Sequence, residues 1–401
     1  MPALTTPTST AYTIQEKAEA LKQRFYPNIE ADLSDIRDTS LSNESFPPNT
    51  LEIDNVATKE EIIRVLKRLR PFKAPGRDGI PNGLLRAMGP KLAQAIANLT
   101  TACWRLEYYP RQFKEARTIV LRKPGKPSYS DPGAWRPIAL LSTIGKVIEA
   151  LTAQRLSRTA EEQHLLPKTQ MGGRKNRSTK RALELLIEQI CIIWTSKKHV
   201  ATLLSIDISG AFDTVNHIRL LEILRKKGLP PWIVRWIRAF LKNRSTTLVI
   251  QNQETALFEI DAGVPQGSPL SPILFLFYNA ALIEIGNQPQ RSLSSIGFAD
   301  DINLLTYGPS TQANCRKLER IHKDLLKWAQ QHGMKFAPKK YELIHFTRRR
   351  TKFNLQAGVR IEGMEEIKRP SKDIRILGVQ VDSKLQWSAH QREFKRRRLL
   401  K

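Results

Sequence analysis

The chain has 401 residues, 41% hydrophobic and 26% charged, the proportions of an ordinary folded protein with room for two or three domains. Lys and Arg number 65 against 38 Asp and Glu, a net charge of +27; a surplus that large, spread along the chain, predicts a polyanionic partner such as nucleic acid. The scattered Cys103, Cys191 and Cys315 argue against a zinc site or a disulfide framework and fit a reducing, intracellular compartment, no apolar run reaches the ~18 residues of a bilayer span, and the N-terminus lacks a secretory pattern.

Residues 1–12, rich in Thr, Pro and Ser, read as disordered. A short amphipathic helix is predicted from Thr13 to Phe25, closed by Pro27, and the polar stretch from 28 to 50 reads as a linker. Thr58 caps a second helix, with Glu61 at capping-box spacing and Ile62, Val65, Leu66 and Leu69 on its inner face, and Pro71 stops it. From there to about residue 382 helices alternate with short strands. One helix follows Asp213, with Leu220, Leu221 and Leu224 inward, and ends at Gly228-Leu-Pro230; another runs from Cys315 to His332, with Leu318, Ile321, Leu325 and Trp328 inward, and ends at Gly333. The tail from His390 to Lys401 is strongly basic and reads as a phosphate-binding or nuclear-import segment, or as a solvated end.

The carboxylates carry the chemistry. Val200–Ile206 is a β-prone run that delivers Asp207 at its end. Two further apolar runs, Ser295–Ala299 and Ile302–Leu305, meet at Asp300-Asp301 and predict a β-hairpin with the acidic pair at its tip. Side by side, the two segments bring three carboxylates together, a costly arrangement unless a cation is present. Hard oxygen ligands with room for phosphate and water describe a Mg²⁺ site for phosphoryl transfer. Taken alone, the pair also reads as a turn exposed to water.

A second element is Gly263-Val-Pro-Gln-Gly-Ser-Pro-Leu-Ser-Pro272, a shaped loop ahead of an apolar helix that Ser268 or Ser271 would cap, with Gln266 placed to hydrogen-bond a nucleotide. A third comprises two basic segments, one with Arg122, Lys123 and Lys126, the other Trp135-Arg-Pro-Ile138. On a hairpin near the carboxylates they would clamp a triphosphate; apart from it they are a solvated face.

In order and spacing these segments resemble the reverse transcriptases of non-LTR (LINE-type) retrotransposons, the jockey-like group in particular. Lys73-Ala-Pro-Gly-Arg-Asp-Gly-Ile-Pro81 is similar to that family's first block, Trp135–Thr143 to its second, and Gln170-Met-Gly-Gly-Arg-Lys-Asn-Arg-Ser-Thr179 to the insertion between fingers and palm. Asp207-Ile-Ser-Gly-Ala-Phe-Asp213 resembles motif A, Gly263–Pro272 motif B, Phe298-Ala-Asp-Asp301 motif C, Pro338-Lys-Lys340 with the preceding helix motif D, and Leu377–Asp382 the primer grip. Arg77, where Pro is usual, and Gly173, where a larger apolar residue is common, depart from the pattern.

The resemblance implies an α+β right-hand polymerase, its palm an antiparallel sheet flanked by helices: an N-terminal extension over 1–50, the start of the fingers over 51–102, fingers and palm over 103–382, and a basic tail over 383–401. The thumb is expected to be missing or truncated, and endonuclease and RNase H functions to lie outside this chain. Asp207, Asp300 and Asp301 would hold two Mg²⁺ or Mn²⁺ ions. Phe212 matches a steric gate against the 2′-OH, Gln266 would contact the incoming dNTP, Lys123 and Arg136 its triphosphate, and Lys340 would protonate the departing pyrophosphate. The implied partners are an RNA template, a DNA primer and dNTPs. Two other readings stand beside this one: an RNA-dependent RNA polymerase, expected to carry a polar residue where Phe212 stands, and a degenerate copy that only binds nucleic acid.

Overall fold

The computed structural model describes residues 1–392 apart from residues 29, 37, 349–353 and 389. In chain order the N-terminal elements are β1 (Leu4–Thr5), β2 (Thr10–Ala11), α1 (Ile14–Phe25), α2 (Lys59–Arg68), α3 (Asn82–Arg105), β3 (Glu115–Arg122), β4 (Trp135–Leu140) and α4 (Thr143–Glu162). There follow α5 (Thr179–Ile192), β5 (Val200–Ile206), β6 (Ile208–Ser209), α6 (His217–Lys226), α7 (Pro231–Leu241), β7 (Arg244–Ile250), β8 (Gln253–Glu254), β9 (Phe258–Ile260) and α8 (Ser271–Ile285). The last are β10 (Leu293–Phe298), β11 (Asp301–Gly308), α9 (Thr311–His332), β12 (Lys335–Phe336), β13 (Glu342–Phe346), β14 (Asp373–Ile376) and β15 (Val379–Asp382). The chain divides into two compact units, residues 1–165 with 210–278, and residues 166–209 with 279 onward.

In the first unit a sheet of order β4-β3-β7-β8, with β9 also on β7, is antiparallel except for the parallel pair β3–β7. The predicted capping box forms at the start of α2, between Thr58 and Glu61, and a second one, which the sequence reading did not name, closes the start of α1 between Thr13 and Glu16. Ile62, Val65 and Leu66 are buried, while Leu69 is the C-cap of α2 and only half-buried.

The N-terminal expectations need correction. Residues 1–12 are not disordered: β1 and β2 pair antiparallel, and Leu4 is buried in a cluster with Leu21, Phe25, Trp135, Leu248 and Ile250. A polar composition is overridden here by one leucine with an apolar pocket to fill. Nor is the stretch from 28 to 50 a free linker, because arginines of α6 and α7 hold it. Arg219 Nη2 pairs with Asp35 Oδ1 at 2.6 Å, Arg235 Nε donates to the Leu41 carbonyl at 2.9 Å, and Arg225 donates to the Ser45 carbonyl.

In the second unit the sheet order is β10-β11-β5-β13, antiparallel throughout. Central β5 is buried on both faces, which explains its largely apolar sequence, interrupted only by Thr202 and Ser205. Ala201 and Leu203 join a core with Leu186 and Ile190 of α5, while on the alternate face Asn314 of α9 donates to Thr202 Oγ1 at 3.0 Å. α9 begins at Thr311, four residues ahead of the predicted Cys315, because Ser310 caps it; it ends as expected at Gly333. The primer-grip-like segment Leu377–Asp382 forms the turn and second strand of the hairpin β14–β15. Residues 393–401 of the basic tail lie outside the described residues. Among the described residues no helix is long and apolar enough to cross a membrane.

Candidate active site

The predicted hairpin forms. β10 and β11 pair with Phe298 opposite Asp301, which leaves Ala299 and Asp300 as a two-residue turn. β11 also pairs with β5, Ile302 opposite Ile206, and this register carried one step further sets Asp301 beside Asp207. The second unit thus places Asp207, Asp300 and Asp301 at one end of its sheet. Asp301 is pushed up to about 6 by desolvation, then by the negative charges of Asp300 and Asp207, with Lys340 opposing.

Lys340 belongs to the same group. The segment after α9 returns as β12, which pairs with β6 so that Phe336 meets Ile208. Ala337 N donates to the Asp207 carbonyl at 2.9 Å, and Lys340 Nζ lies 2.8 Å from Asp207 Oδ1. Asp207 is held through both its backbone and its side chain. Among the described residues, no three Cys, His, Asp or Glu side chains are already gathered as a ligand set. The donors present nonetheless suit a hard divalent ion: three carboxylates meet at one end of a sheet, and the cation against Asp207 is an ammonium standing where positive charge is needed.

The remaining predicted residues lie in the first unit. Phe212, half-buried, stacks on Phe275 of α8. Gln266 Nε2 donates to Asp213 Oδ1 at 2.6 Å, so the glutamine is engaged by the last residue of the motif-A-like segment. Backbone bonds join the same two segments: Val264 N donates to the Phe212 carbonyl and Gly263 N to that of Val215, both at 2.8 Å. Asp213 is pushed up to about 6 by burial, against the favourable influence of Gln266, Arg24 and Lys123. Lys123 and Arg136 sit at one end of the β3–β4 pair, where Arg136 lies opposite Leu121 and Lys123 Nζ donates to the Gly133 carbonyl at 3.0 Å. Arg136 is exposed.

Gly267 explains how the loop closes on β4. Its φ is +138°, and a Cβ there would stand 2.3 Å from the Ala139 carbonyl oxygen, while Ala139 N donates to the Gln266 carbonyl at 2.8 Å. Of the two serines expected to cap α8, Ser268 Oγ accepts from Leu270 N at 3.0 Å and donates to the buried Glu149 at 2.5 Å, and Ser271 Oγ donates to the Pro265 carbonyl at 2.9 Å. Arg77 faces Glu254 at 3.7 Å, and Gly173 is exposed with φ +70°. Asp213, Glu149, Gln170 and Asn279 were not singled out from the sequence as individual site residues. Asp213 and Gln170 lie inside recognised motifs, Asp213 as the second carboxylate of the motif-A-like segment and Gln170 as the first residue of the block that ends at Thr179.

The family model for "Reverse transcriptase (RNA-dependent DNA polymerase)" matches residues 121–381. The chain is 31% identical over 84% of its length to a Drosophila melanogaster protein named "Probable RNA-directed DNA polymerase from transposon BS", covering 37% of that protein. It is 28% identical over 93% of its length to the Drosophila melanogaster "RNA-directed DNA polymerase from mobile element jockey", covering 40% of it. The chain thus spans about two fifths of the length of these relatives. Among solved structures, a telomerase from Candida tropicalis bound to a fragment of telomeric RNA is similar over 73% of this chain and 48% of its own, at 12% identity and a TM-score of 0.48. The match over most of the chain, with the motif carboxylates meeting at one end of a single sheet, places this protein in the reverse transcriptase family.

Proposed function

We propose that the chain is the polymerase part of a mobile-element protein that copies an RNA template into DNA, adding dNTPs to a primer 3′-OH. The observation that carries this reading is the register that sets Asp207 beside Asp301, with Asp300 in the adjoining turn. Asp207, Asp300 and Asp301 would hold two Mg²⁺ or Mn²⁺ ions, which when bound activate the 3′-OH and neutralise the triphosphate. The three carboxylates would concentrate negative charge at that end of the sheet, and bound cations would offset it. Lys340, already on Asp207, would be the proton donor for a leaving pyrophosphate. Phe212 is the gate against ribonucleotides, Gln266 a nucleotide contact, and Lys123 and Arg136 the triphosphate clamp. The charge of +27 supports a template–primer partner bound largely through phosphates.

Primer extension on poly(rA)/oligo(dT) with Mg²⁺ or Mn²⁺ tests the proposal. The parent chain should extend the primer, and Asp207→Asn or Asp300→Asn should abolish extension while leaving the fold intact, because removing a charge relaxes the cluster. Extension at parental rate by either variant would overturn the assignment.

A further inference from the structure

Two buried amides in the second unit belong to no part of the mechanism above. Asn279, on α8, and Gln170, in the loop before α5, are both fully buried. Asn279 Nδ2 donates to the Ala299 carbonyl at 2.8 Å, and Asn279 Oδ1 accepts from Gln170 Nε2 at 2.6 Å. Each amide therefore sets the orientation of the other, and the chain of bonds ends on the residue before Asp300.

That residue is in an unusual state. Ala299 has φ +56°, the left-handed region that a two-residue hairpin turn requires and a side chain with a Cβ disfavours. The two turn residues, Ala299 and Asp300, include no glycine, the residue that adopts this conformation without cost.

The loop around Gln170 braces the same turn a second way. Met171 N donates to the Gly297 carbonyl at 2.7 Å and Gly297 N to that of Thr169 at 3.1 Å, so the loop adds to β10. The next residue, Gly172, lies against the turn itself: a Cβ there would stand 2.5 Å from Ala299 N. Arg174 ties the loop from behind, its Nη1 donating to the carbonyls of Pro167 at 2.6 Å and Gln170 at 3.2 Å.

We infer that Gln170 and Asn279 are positioning residues: their hydrogen-bonded chain to Ala299 holds the strained turn that presents Asp300 and Asp301 to divalent cations. The inference rests on the proposed metal-binding role of the trio. Groups that orient metal ligands without touching the metal typically govern affinity about 10- to 100-fold, and this pair acts on the ligands' backbone.

The test is Mn²⁺ titration of the full chain by electron paramagnetic resonance, with Asp207→Asn marking binding that depends on the trio. Asn279→Ala and Gln170→Leu should each weaken that binding about 10-fold or more, and the double variant should lose no more than the weaker-binding single one, since both act through one chain. Ser295→Ala is the control. It removes a buried hydrogen bond from the same hairpin, Ser295 Oγ to the Ile283 carbonyl at 2.8 Å, away from the tip. Mn²⁺ affinity there should stay within about twofold, as expected for a change that alters stability without moving a ligand. If Asn279→Ala does not fold, Gln170→Leu, which keeps the volume, decides alone. Mn²⁺ affinity in the braced variants no weaker than in Ser295→Ala would overturn the inference. A parent whose Mn²⁺ binding is untouched by Asp207→Asn would instead overturn the metal reading, and this inference with it.

Discussion

The rings of Phe212 and Phe275 lie face to face, their centroids 5.1 Å apart and their planes 18° from parallel. Phe275 is buried and Phe212 half-buried, so one side of the candidate gate is clamped by the core while the residue still reaches solvent. A rigid ring excludes a hydroxyl better than a mobile one. An unpartnered 2′-OH held against it would cost ~1–3 kcal/mol, about ten- to a hundred-fold in rate. Phe212→Ala should lower the dNTP/rNTP ratio of kcat/KM by at least about tenfold. It should also cost about 1 kcal/mol or more of stability through the lost stacking. An unchanged ratio with a lowered Tm would make Phe212 a core aromatic only.

Lys340 and Asp207 form a contact exposed enough that its net stability is small, about 0–1 kcal/mol. The ammonium competes with any cation for Asp207 Oδ1. Lys340→Met should therefore leave Tm nearly unchanged and tighten Mn²⁺ binding several-fold. Its kcat should nonetheless fall about 100-fold if the lysine delivers the proton to pyrophosphate. Tighter metal binding with undiminished kcat would reduce Lys340 to a counter-charge.

Asp213 should make stability depend on pH in mildly acidic solution. Its carboxyl is raised from 3.8 to about 6, mainly by burial, while Gln266, Arg24 and Lys123 pull the other way. A raised carboxyl binds its proton more tightly in the folded chain than in the unfolded one. The stability it contributes is full below about pH 4 and is lost as the pH rises through about 6. The whole rise corresponds to at most ~3 kcal/mol; because the residue is only half-buried, about 1–2 kcal/mol is the expected size. Asp213→Asn keeps an acceptor for Gln266 and should flatten the urea-unfolding profile between pH 4 and 6, gaining that amount at pH 7. A profile as steep as the parent's would place the titration elsewhere.

What the sequence makes legible follows the range of the forces involved. The capping box at Thr58, the stop of α9 at Gly333 and the Asp300 turn are all decided within a few residues, and each is readable in the sequence. Asp207 was readable because β5 is buried on both faces and its apolar run ends there. By contrast α3 runs for 24 residues through Gly83, Gly89 and Pro90, punctuation that reads as a break until α2 and α4 pack against it. Asn279 sits inside an apolar run and looks like a helix position, because its partners Gln170 and Ala299 are remote in sequence. Lys340 is likewise brought to Asp207 by a remote contact, the β6–β12 pairing.

Glu149 is the other buried group that local pattern concealed, a carboxylate in the middle of α4 with no exposure at all. Its Oε1 accepts from Tyr109 Oη and its Oε2 from Ser268 Oγ, each at 2.5 Å, so it ties the Gly263–Pro272 loop to the aromatic cluster of Tyr109, Trp236 and Phe240. The buried Arg244 supplies the compensating charge that lowers the cost of an ion there. Ser268→Ala removes one bond to that charge and should cost about 1.5–3 kcal/mol. Glu149→Leu leaves the buried hydroxyls of Tyr109 and Ser268 without their acceptor and should cost about 2–4 kcal/mol. Since Gln266 is two residues from Ser268, releasing the loop should also raise the KM for dNTP, whereas Tyr109→Phe, which frees only the far side of the clamp, should lower stability and leave KM near parental. Urea unfolding combined with steady-state kinetics separates these outcomes. Equal KM values in Ser268→Ala and the parent would show that Glu149 stabilises the fold without setting the loop that carries Gln266.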